Sequence, residues 1–236
     1  MADLDIAANL EEVRRRVALA AERSGRAPSA VDLLVVTKTW PPGVIAQVVE
    51  AGHSLLGENK LQEAESKIPK LPTSVQWHFI GHLQRNKARR ALGIFDVIHS
   101  VDSLRLARHL DRIAEEMGKM PQVYLQINAE GEQTKGGFGL DSLGEAVREV
   151  VSLERIHLAG LMSIPPAVAH PEDARDSFRR LRELRDGLEK EFEISLPGLS
   201  MGMSHDFEVA IEEGATIVRV GSSIFGPRKH LRSTSQ

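Results

Sequence analysis

The sequence has 236 residues, of which 42% are hydrophobic and 27% are charged, and its formal net charge is -3. This composition is that of an ordinary globular protein, and the nearly balanced charge argues against a nucleic-acid or membrane partner. The absence of cysteine excludes disulfides, thiolate catalysis and cysteine-ligated metals. Because the chain starts without a signal-peptide pattern and lacks an apolar run long enough to span a bilayer, we expect a cytoplasmic protein.

The hydrophobic periodicity predicts helices and strands that alternate along the whole chain. An amphipathic helix over 4–23 comes first, with Leu10, Val13 and Val17 on one face. Eight short apolar segments have the length and composition of strands: 33–37, 54–57, 75–80, 95–99, 122–128, 156–161, 199–201 and 216–220. Helical segments separate them: 41–50, 58–67, 84–92, 103–117, 141–151, 172–192 and 207–213.

Strict alternation of strands and helices predicts a parallel sheet, and eight such units predict a closed (β/α)8 TIM barrel with an additional N-terminal helix. We expect one domain over 1–236, with the barrel at about 31–227, because no segment has the composition of a linker. A doubly wound open sheet is the alternative, but it would show fewer strands, and no G-x-G-x-x-G motif follows the first strand. A barrel of this size can stand alone, so we expect a monomer.

One lysine stands at the end of the first predicted strand. The run Leu33–Val36 is fully apolar, which indicates a strand buried on both faces, and Lys38 follows it shortly before two prolines. Desolvation of an ammonium is costly, so burial lowers the pKa of a lysine and leaves more neutral, nucleophilic amine. Lys38 is therefore either an imine-forming nucleophile or a lysine whose ammonium reaches solvent past the strand end.

Polar residues follow most of the predicted strands, and in a barrel these strand ends share the face on which active sites lie. Arg219 interrupts a β-branched run in the eighth strand, so its charge is expected to be paired. Gly221 and Ser222 come soon after it, and Ser204 follows the seventh strand. Backbone N–H groups and hydroxyls after strands seven and eight are typical of a phosphate site, although Ser204 is equally explained as a helix cap.

Three other groups of residues are weaker candidates for function. His78 and His82 stand four residues apart, but they lie on either side of a strand end, and no carboxylate or cysteine completes a metal site. The basic helix 85–90 is best explained as a solvated surface, because no aromatic residues alternate with its charges. Lys135, in a glycine-rich loop, either binds an anion or is solvated.

Several motifs, in order along the chain, resemble those of the pyridoxal 5′-phosphate (PLP) homeostasis proteins, a family similar to the N-terminal domain of alanine racemase. The resemblance covers about residues 8–229. It rests on these motifs: Val35-Val36-Thr37-Lys38-Thr39, Gly57-Glu58-Asn59, Trp77-His78-Phe79-Ile80-Gly81-His82-Leu83-Gln84, His99-Ser100-Val101-Asp102, Leu199-Ser200-Met201-Gly202-Met203-Ser204 and Val218-Arg219-Val220-Gly221.

This resemblance implies a PLP-binding barrel in which Lys38 forms the internal aldimine and Arg219 faces the pyridine nitrogen. It also implies that Asn59 lies beside the cofactor ring and that Met201 belongs to the cofactor site. The phosphate would be held by three residues after strands seven and eight: Ser204, Gly221 and Ser222. His205 matches no motif position with a role, so none is assigned to it.

The resemblance favours binding of PLP over turnover. Arginine is a donor-only group that stays protonated, so Arg219 would keep the pyridine nitrogen unprotonated and weaken the electron sink, although the resembled racemases work with such an arginine. The resembled racemases take a second acid or base from a tyrosine of a separate β-domain, whereas here Tyr124 lies in mid-strand and about ten residues follow Gly226. We therefore expect a non-catalytic protein of vitamin B6 homeostasis that holds PLP on Lys38 and supplies apo-enzymes. The alternatives are a PLP-dependent racemase of small amino acids and a cofactor-free lysine aldolase.

Overall fold

The computed structural model describes residues 5–129 and 136–227, and its eight parallel strands close into a barrel in sequence order. The last strand pairs with the first, with Leu33 opposite Val218 and Leu34 opposite Arg219. This confirms the predicted (β/α)8 barrel. The strands are β1 (Asp32–Val36), β2 (Leu55–Glu58), β3 (Gln76–Phe79), β4 (Val97–Val101), β5 (Gln122–Ile127), β6 (His157–Ser163), β7 (Gly198–Met203) and β8 (Ile217–Val220).

The helices lie outside the barrel and follow the predicted order. They are α1 (Ile6–Arg23), α2 (Pro42–Glu50), α3 (Leu61–Lys67), α4 (Ala88–Leu92), α5 (Leu104–Met117), α6 (Leu140–Val151), α7 (Arg175–Phe192), α8 (Phe207–Glu212) and α9 (Ser222–Phe225). Three predicted helix starts were wrong. Pro171–Ala174 is a 3-10 turn, so α7 begins at Arg175 and not at 172. The segment Arg85–Lys87 is a 3-10 turn, so α4 begins at Ala88, and Glu58 belongs to β2, so α3 begins at Leu61. The sequence also gave no sign of α9.

The additional N-terminal helix is fixed at both its start and its buried face. The side chain of Asp5 accepts a hydrogen bond from the Ala8 N–H at 2.9 Å, which caps α1. Its apolar face packs against α8 and α9. The side-chain amide of Asn9 donates to the Ile224 carbonyl at 3.0 Å. Helix α1 therefore supports the short helix that follows β8.

Side chains of the strands alternate between two separate layers. Leu33 and Val35 join the large core between strands and helices, whereas Leu34 points into the barrel. The apolar interior is small and is formed by six buried residues: Leu34, Val97, Tyr124, Ala159, Met162 and Ile217. His99, Ser200 and Arg219 are also buried, so polar groups occupy part of the barrel.

None of the helices within the two described ranges combines the length and the apolar character that crossing a membrane requires. Lys135, for which an anion-binding role was considered, lies outside the described residues.

Candidate functional site

A cavity of about 750 Å³ opens at the carboxyl ends of the strands. It is larger than a second cavity of about 160 Å³ beside it, between β5, β6 and α7. Six of the seven site residues expected from the sequence line the larger cavity: Lys38, Asn59, Ser204, Arg219, Gly221 and Ser222. Residues that are distant in sequence thus meet at one place, as the barrel topology predicts.

Lys38 lies in a tight turn that follows β1, and its side chain is half-buried at the cavity wall. The Thr37 N–H continues the β1–β2 ladder by donating to the Gly57 carbonyl at 3.0 Å, and the Trp40 N–H then donates to the Thr37 carbonyl at 3.1 Å. Thr39 has a φ of 71°, a left-handed conformation that β-branched residues rarely adopt. The turn brings both Lys38 and Trp40 to the cavity.

Arg219 is buried at the base of the cavity, where it donates three hydrogen bonds. Its Nη1 donates to the carbonyl and the hydroxyl oxygen of Ser200 at 2.6 and 2.8 Å, and its Nη2 donates to the Ser163 carbonyl at 2.8 Å. Burial lowers the pKa of Arg219 to about 10, so the guanidinium remains charged at neutral pH. Two of its five N–H donors make no hydrogen bond within the described residues.

A chain of hydrogen bonds continues from Arg219 across the interior. The Ser200 hydroxyl lies 2.7 Å from His99 Nδ1, and His99 Nε2 lies 2.9 Å from His78 Nδ1. Because the guanidinium only donates, the Ser200 hydroxyl accepts from it and donates to His99 Nδ1, and His99 Nε2–H donates to His78. Burial lowers the pKa of His78 to about 4 and that of His99 well below its ordinary value, so both rings are neutral.

The loops after β7 and β8 are tied to each other. The Gly221 N–H donates to the Ser204 hydroxyl at 3.0 Å, and the Ser223 hydroxyl donates to the Ser204 carbonyl at 3.2 Å. A Cβ at position 221 would lie 3.1 Å from the Val36 carbonyl, so glycine permits this close approach to β1. Ser204 is not a helix cap. Its hydroxyl instead accepts from the N–H of Gly221, the residue directly before α9, and hydroxyls grouped with backbone N–H groups suit an anion.

Asn59 has a buried side-chain oxygen at the cavity wall. This Oδ1 atom has no hydrogen-bond partner among the described residues, although buried polar atoms normally have one. Glycine at position 81 permits the close approach of the Asn59 backbone, because a Cβ there would lie 2.0 Å from the Asn59 carbonyl oxygen. An unpartnered polar atom at the wall of a cavity fits a site built for a polar ligand.

The structure does not bring Met201 to the cavity. Met201 is fully buried in the core between the strands and the helices, because its neighbour Ser200 points into the barrel and side chains alternate along β7. Met203, two residues further along β7, lines the cavity instead. Alternation along the motif could have indicated the placement of Met201 but not that of Met203, because the register between β7 and β8 shifts between Ser200 and Met203.

His82 and His205 also line the cavity, at its exposed rim. His82 Nδ1 lies 3.0 Å from Asp102 Oδ2, and His205 Nε2 lies 3.3 Å from the Ala169 carbonyl. His78 and His82 thus have different partners and share no ligand. Within residues 5–129 and 136–227, no group of three or more histidine and acidic side chains is arranged to hold a metal ion. In the basic segment, Arg89 and Arg90 form ion pairs with Glu116 and Glu65.

Comparison with known proteins finds close relatives along nearly the whole chain. The family model of the alanine racemase N-terminal domain matches residues 8–229. The pyridoxal phosphate homeostasis protein of Aquifex aeolicus is 45% identical over 222 residues, which is 94% of this chain and 97% of that protein. The protein of the same name from Escherichia coli K12 is 39% identical, covering 97% and 99% of the two chains. PipY of Synechococcus elongatus, solved with PLP bound, is 38% identical, with a TM-score of 0.80 over 91% of this chain and 100% of PipY.

Proposed function

Because this chain belongs to the alanine racemase N-terminal domain family and, within it, to the pyridoxal phosphate homeostasis proteins, we propose that it binds PLP covalently and reversibly through Lys38. The observation that carries this proposal is the convergence of three groups on one cavity: the Lys38 amine, the Arg219 guanidinium and the hydroxyl of Ser204. They match three of the polar groups of PLP: its aldehyde, its ring nitrogen and its phosphate.

Lys38 is the proposed attachment point. PLP supplies an aldehyde that condenses with amines and a ring that acts as an electron sink. The neutral Lys38 amine forms a carbon–nitrogen double bond to the aldehyde carbon, and the aldehyde oxygen leaves as water with the two amine hydrogens. The reverse reaction with water frees the cofactor. A protein that holds the aldehyde in this way limits its free concentration and can return it unchanged.

Arg219 is the proposed partner of the ring nitrogen. Its guanidinium stays protonated at neutral pH, and the two N–H donors that make no hydrogen bond among the described residues are available to an acceptor. A donor-only partner leaves the ring nitrogen unprotonated. The ring is then a weaker electron sink, which favours holding the cofactor over carbanion chemistry.

Ser204, Gly221 and Ser222 are the proposed phosphate site. Hydroxyls of Ser204 and Ser222, together with the backbone N–H groups that begin α9, are suitable donors for phosphate oxygens. The hydrogen bond from Gly221 to Ser204 fixes the two loops relative to each other before the ligand arrives. Asn59, with its unpartnered side-chain oxygen, is the proposed polar contact beside the ring.

We infer that the protein turns over no amino acid. Tyr124 is packed in the barrel interior, its ring 4.6 Å from that of His99, and burial raises its pKa to about 12. It is therefore not placed as an acid or base beside Lys38. The alternative, a racemase of small amino acids, predicts that optical rotation of L-alanine or L-serine decays with the protein and not with Lys38→Ala. Such decay would overturn the non-catalytic part of the proposal.

The decisive experiment is an absorbance titration of the protein with PLP, followed by borohydride reduction and peptide mass mapping. Wild-type protein should gain the imine absorbance band, and reduction should fix one pyridoxyl group on Lys38. Lys38→Ala should gain neither, whereas Lys70→Ala, which removes an exposed lysine, should behave as wild type. Absence of the band from wild-type protein, or its persistence in Lys38→Ala, would refute the proposal.

The proposed biological role is a cytoplasmic reservoir that acts as a single-domain monomer and supplies PLP to apo-enzymes. Its test is reactivation of a PLP-dependent apo-enzyme by the loaded protein. A dialysis membrane between the two proteins distinguishes direct transfer from release into solution. Reactivation that is equally fast across the membrane would show that contact between the proteins is unnecessary.

A further inference from the structure

A buried cluster of charged residues lies next to the turn that carries Lys38. This ion cluster consists of Glu58 at the end of β2 and of Glu63 and Lys67 on α3. Lys67 Nζ lies 2.6 Å from Glu58 Oε1 and 3.1 Å from Glu63 Oε2. The side chain of Glu58 is fully buried and that of Lys67 is 6% exposed. None of the three was a candidate from the sequence.

The ion cluster makes hydrogen bonds to the residues on both sides of Lys38. Before it, the Thr37 hydroxyl donates to Glu58 Oε1 at 2.6 Å, and Lys67 Nζ donates to the Thr37 carbonyl at 3.0 Å. After it, the Thr39 N–H donates to Glu63 Oε2 at 2.8 Å. Each member of the cluster therefore holds the backbone or side chain of a residue adjacent to Lys38.

The turn needs such support because of its backbone conformation. Thr39 is one of two non-glycine residues with a positive φ among the described residues, and strain of this kind persists only where surrounding contacts impose it. Those contacts here come from the ion cluster. A buried ion pair is a poor way to gain stability alone, because apolar residues of similar volume often serve as well or better. This arrangement suggests that the cluster has another role.

We propose that Glu58, Glu63 and Lys67 are positioning residues for Lys38, which fix the strained turn so that the Lys38 amine is presented to the cavity. The proposal rests on the function proposed above, in which this amine forms an imine with PLP. In this scheme the cluster acts on the amine through the backbone of the turn. It sets the rate at which the imine forms by restricting where the attacking nitrogen lies.

A purely structural cluster would behave differently in one designed variant. Lys67→Met alone leaves Glu58 buried without its partner, so both stability and imine formation should suffer. The double variant Glu58→Met/Lys67→Met removes both buried charges and fills their space, so its stability should return towards that of the wild type. Its imine formation should stay about ten- to a hundredfold slower, because the bonds to Thr37 remain absent.

Two quantities are measured for each variant: the rate at which the imine band grows after rapid mixing with PLP, and the free energy of unfolding in urea. A double variant that is stable and slow supports the proposal, and one that is stable and as fast as wild type overturns it. If the double variant fails to fold, Glu63→Leu tests the proposal instead. Glu63 is 25% exposed, so its change should be tolerated, and the change removes the hydrogen bond from the Thr39 N–H. We expect imine formation in Glu63→Leu to be at least severalfold slower than in the wild type, and a wild-type rate would overturn the proposal.

The control variant is Glu213→Gln. Glu213 is buried and forms ion pairs with Arg175 and Arg182 between α7 and α8, and none of these residues lines the cavity. Its change should lower stability and leave the imine rate unaltered, which separates loss of stability from loss of positioning. Failure of the underlying function is distinguishable, because then the wild-type protein itself shows no imine band.

Discussion

The buried histidine pair makes the stability of this protein sensitive to acid in a predictable way. Burial lowers the pKa of His78 from 6.5 to about 4, so the unfolded chain binds a proton at this ring over a pH range in which the folded protein does not. The stability held by the neutral ring is thus fully present above pH 6.5 and is lost as the pH falls towards 4. At about 1.4 kcal/mol per pKa unit, His78 alone accounts for about 3 kcal/mol lost by pH 4.

The variant that isolates this effect is His78→Asn. The asparagine side-chain oxygen stands where the His78 Nδ1 atom accepts from His99, so the hydrogen-bond chain is kept while the titrating group is removed. We expect the free energy of unfolding in urea to fall between pH 7.5 and pH 4 by about 3 kcal/mol less in the variant than in the wild type. Acidic residues titrate in both proteins, so their contribution cancels in the comparison.

The same measurement gives a clear refuting result. If wild type and His78→Asn lose the same stability between pH 7.5 and pH 4, within about 0.5 kcal/mol, then His78 is not held neutral by burial. The inference that His99 Nε2–H donates to His78 Nδ1 would then be wrong, because a protonated Nδ1 cannot accept. A variant that is less stable by the same amount at both pH values would not support the prediction, because only the difference between the two pH values measures proton binding by His78.

Three further outcomes are expected. Gly81→Ala places a Cβ 2.0 Å from the Asn59 carbonyl oxygen, so it should weaken PLP binding, measured by titration of the imine band, about tenfold or more. Gly43→Ala is the control and should leave binding unchanged, because its Cβ would have no atom within 4 Å. Ser204→Ala should weaken binding of PLP by about tenfold and leave binding of pyridoxal, which lacks the phosphate, unchanged. Tyr124 is the sole tyrosine, so tyrosinate absorbance should report a pKa of about 12 when folded and about 10 in urea.

The barrel and most of the cavity wall could be predicted from the sequence, because both depend on local patterns. A fully apolar run such as Leu33–Val36 is readable as a buried strand, and the residues after each strand must gather at one end of a parallel barrel. Lys38 and Arg219 were noticeable because neither caps a strand or helix. Placing them in one cavity needed only the strand order, which the structure confirms.

The contacts that support the cavity could not be predicted in the same way, because they depend on the direction of individual side chains. Glu58 was assigned to the start of a helix, yet it ends β2 and is fully buried, which is rare for a glutamate. Lys67 ends a short helix, where a lysine is commonly solvated, but its ammonium turns inward. Only the strained turn at Thr39, visible in the folded backbone, shows why both are there.

Support of this kind also bears on the difference between holding a cofactor and using it. The two groups proposed to contact the reactive parts of PLP are both fixed from behind, Lys38 by the ion cluster and Arg219 by Ser200 and Ser163. A catalyst would in addition need a second acid or base on the other side of the substrate. Of the histidines that line the cavity, His82 pairs with Asp102 at the rim, and its side chain is 71% exposed. An amine and a guanidinium that are both supported from behind fit the proposed capture of PLP, and the optical-rotation assay decides whether turnover accompanies it.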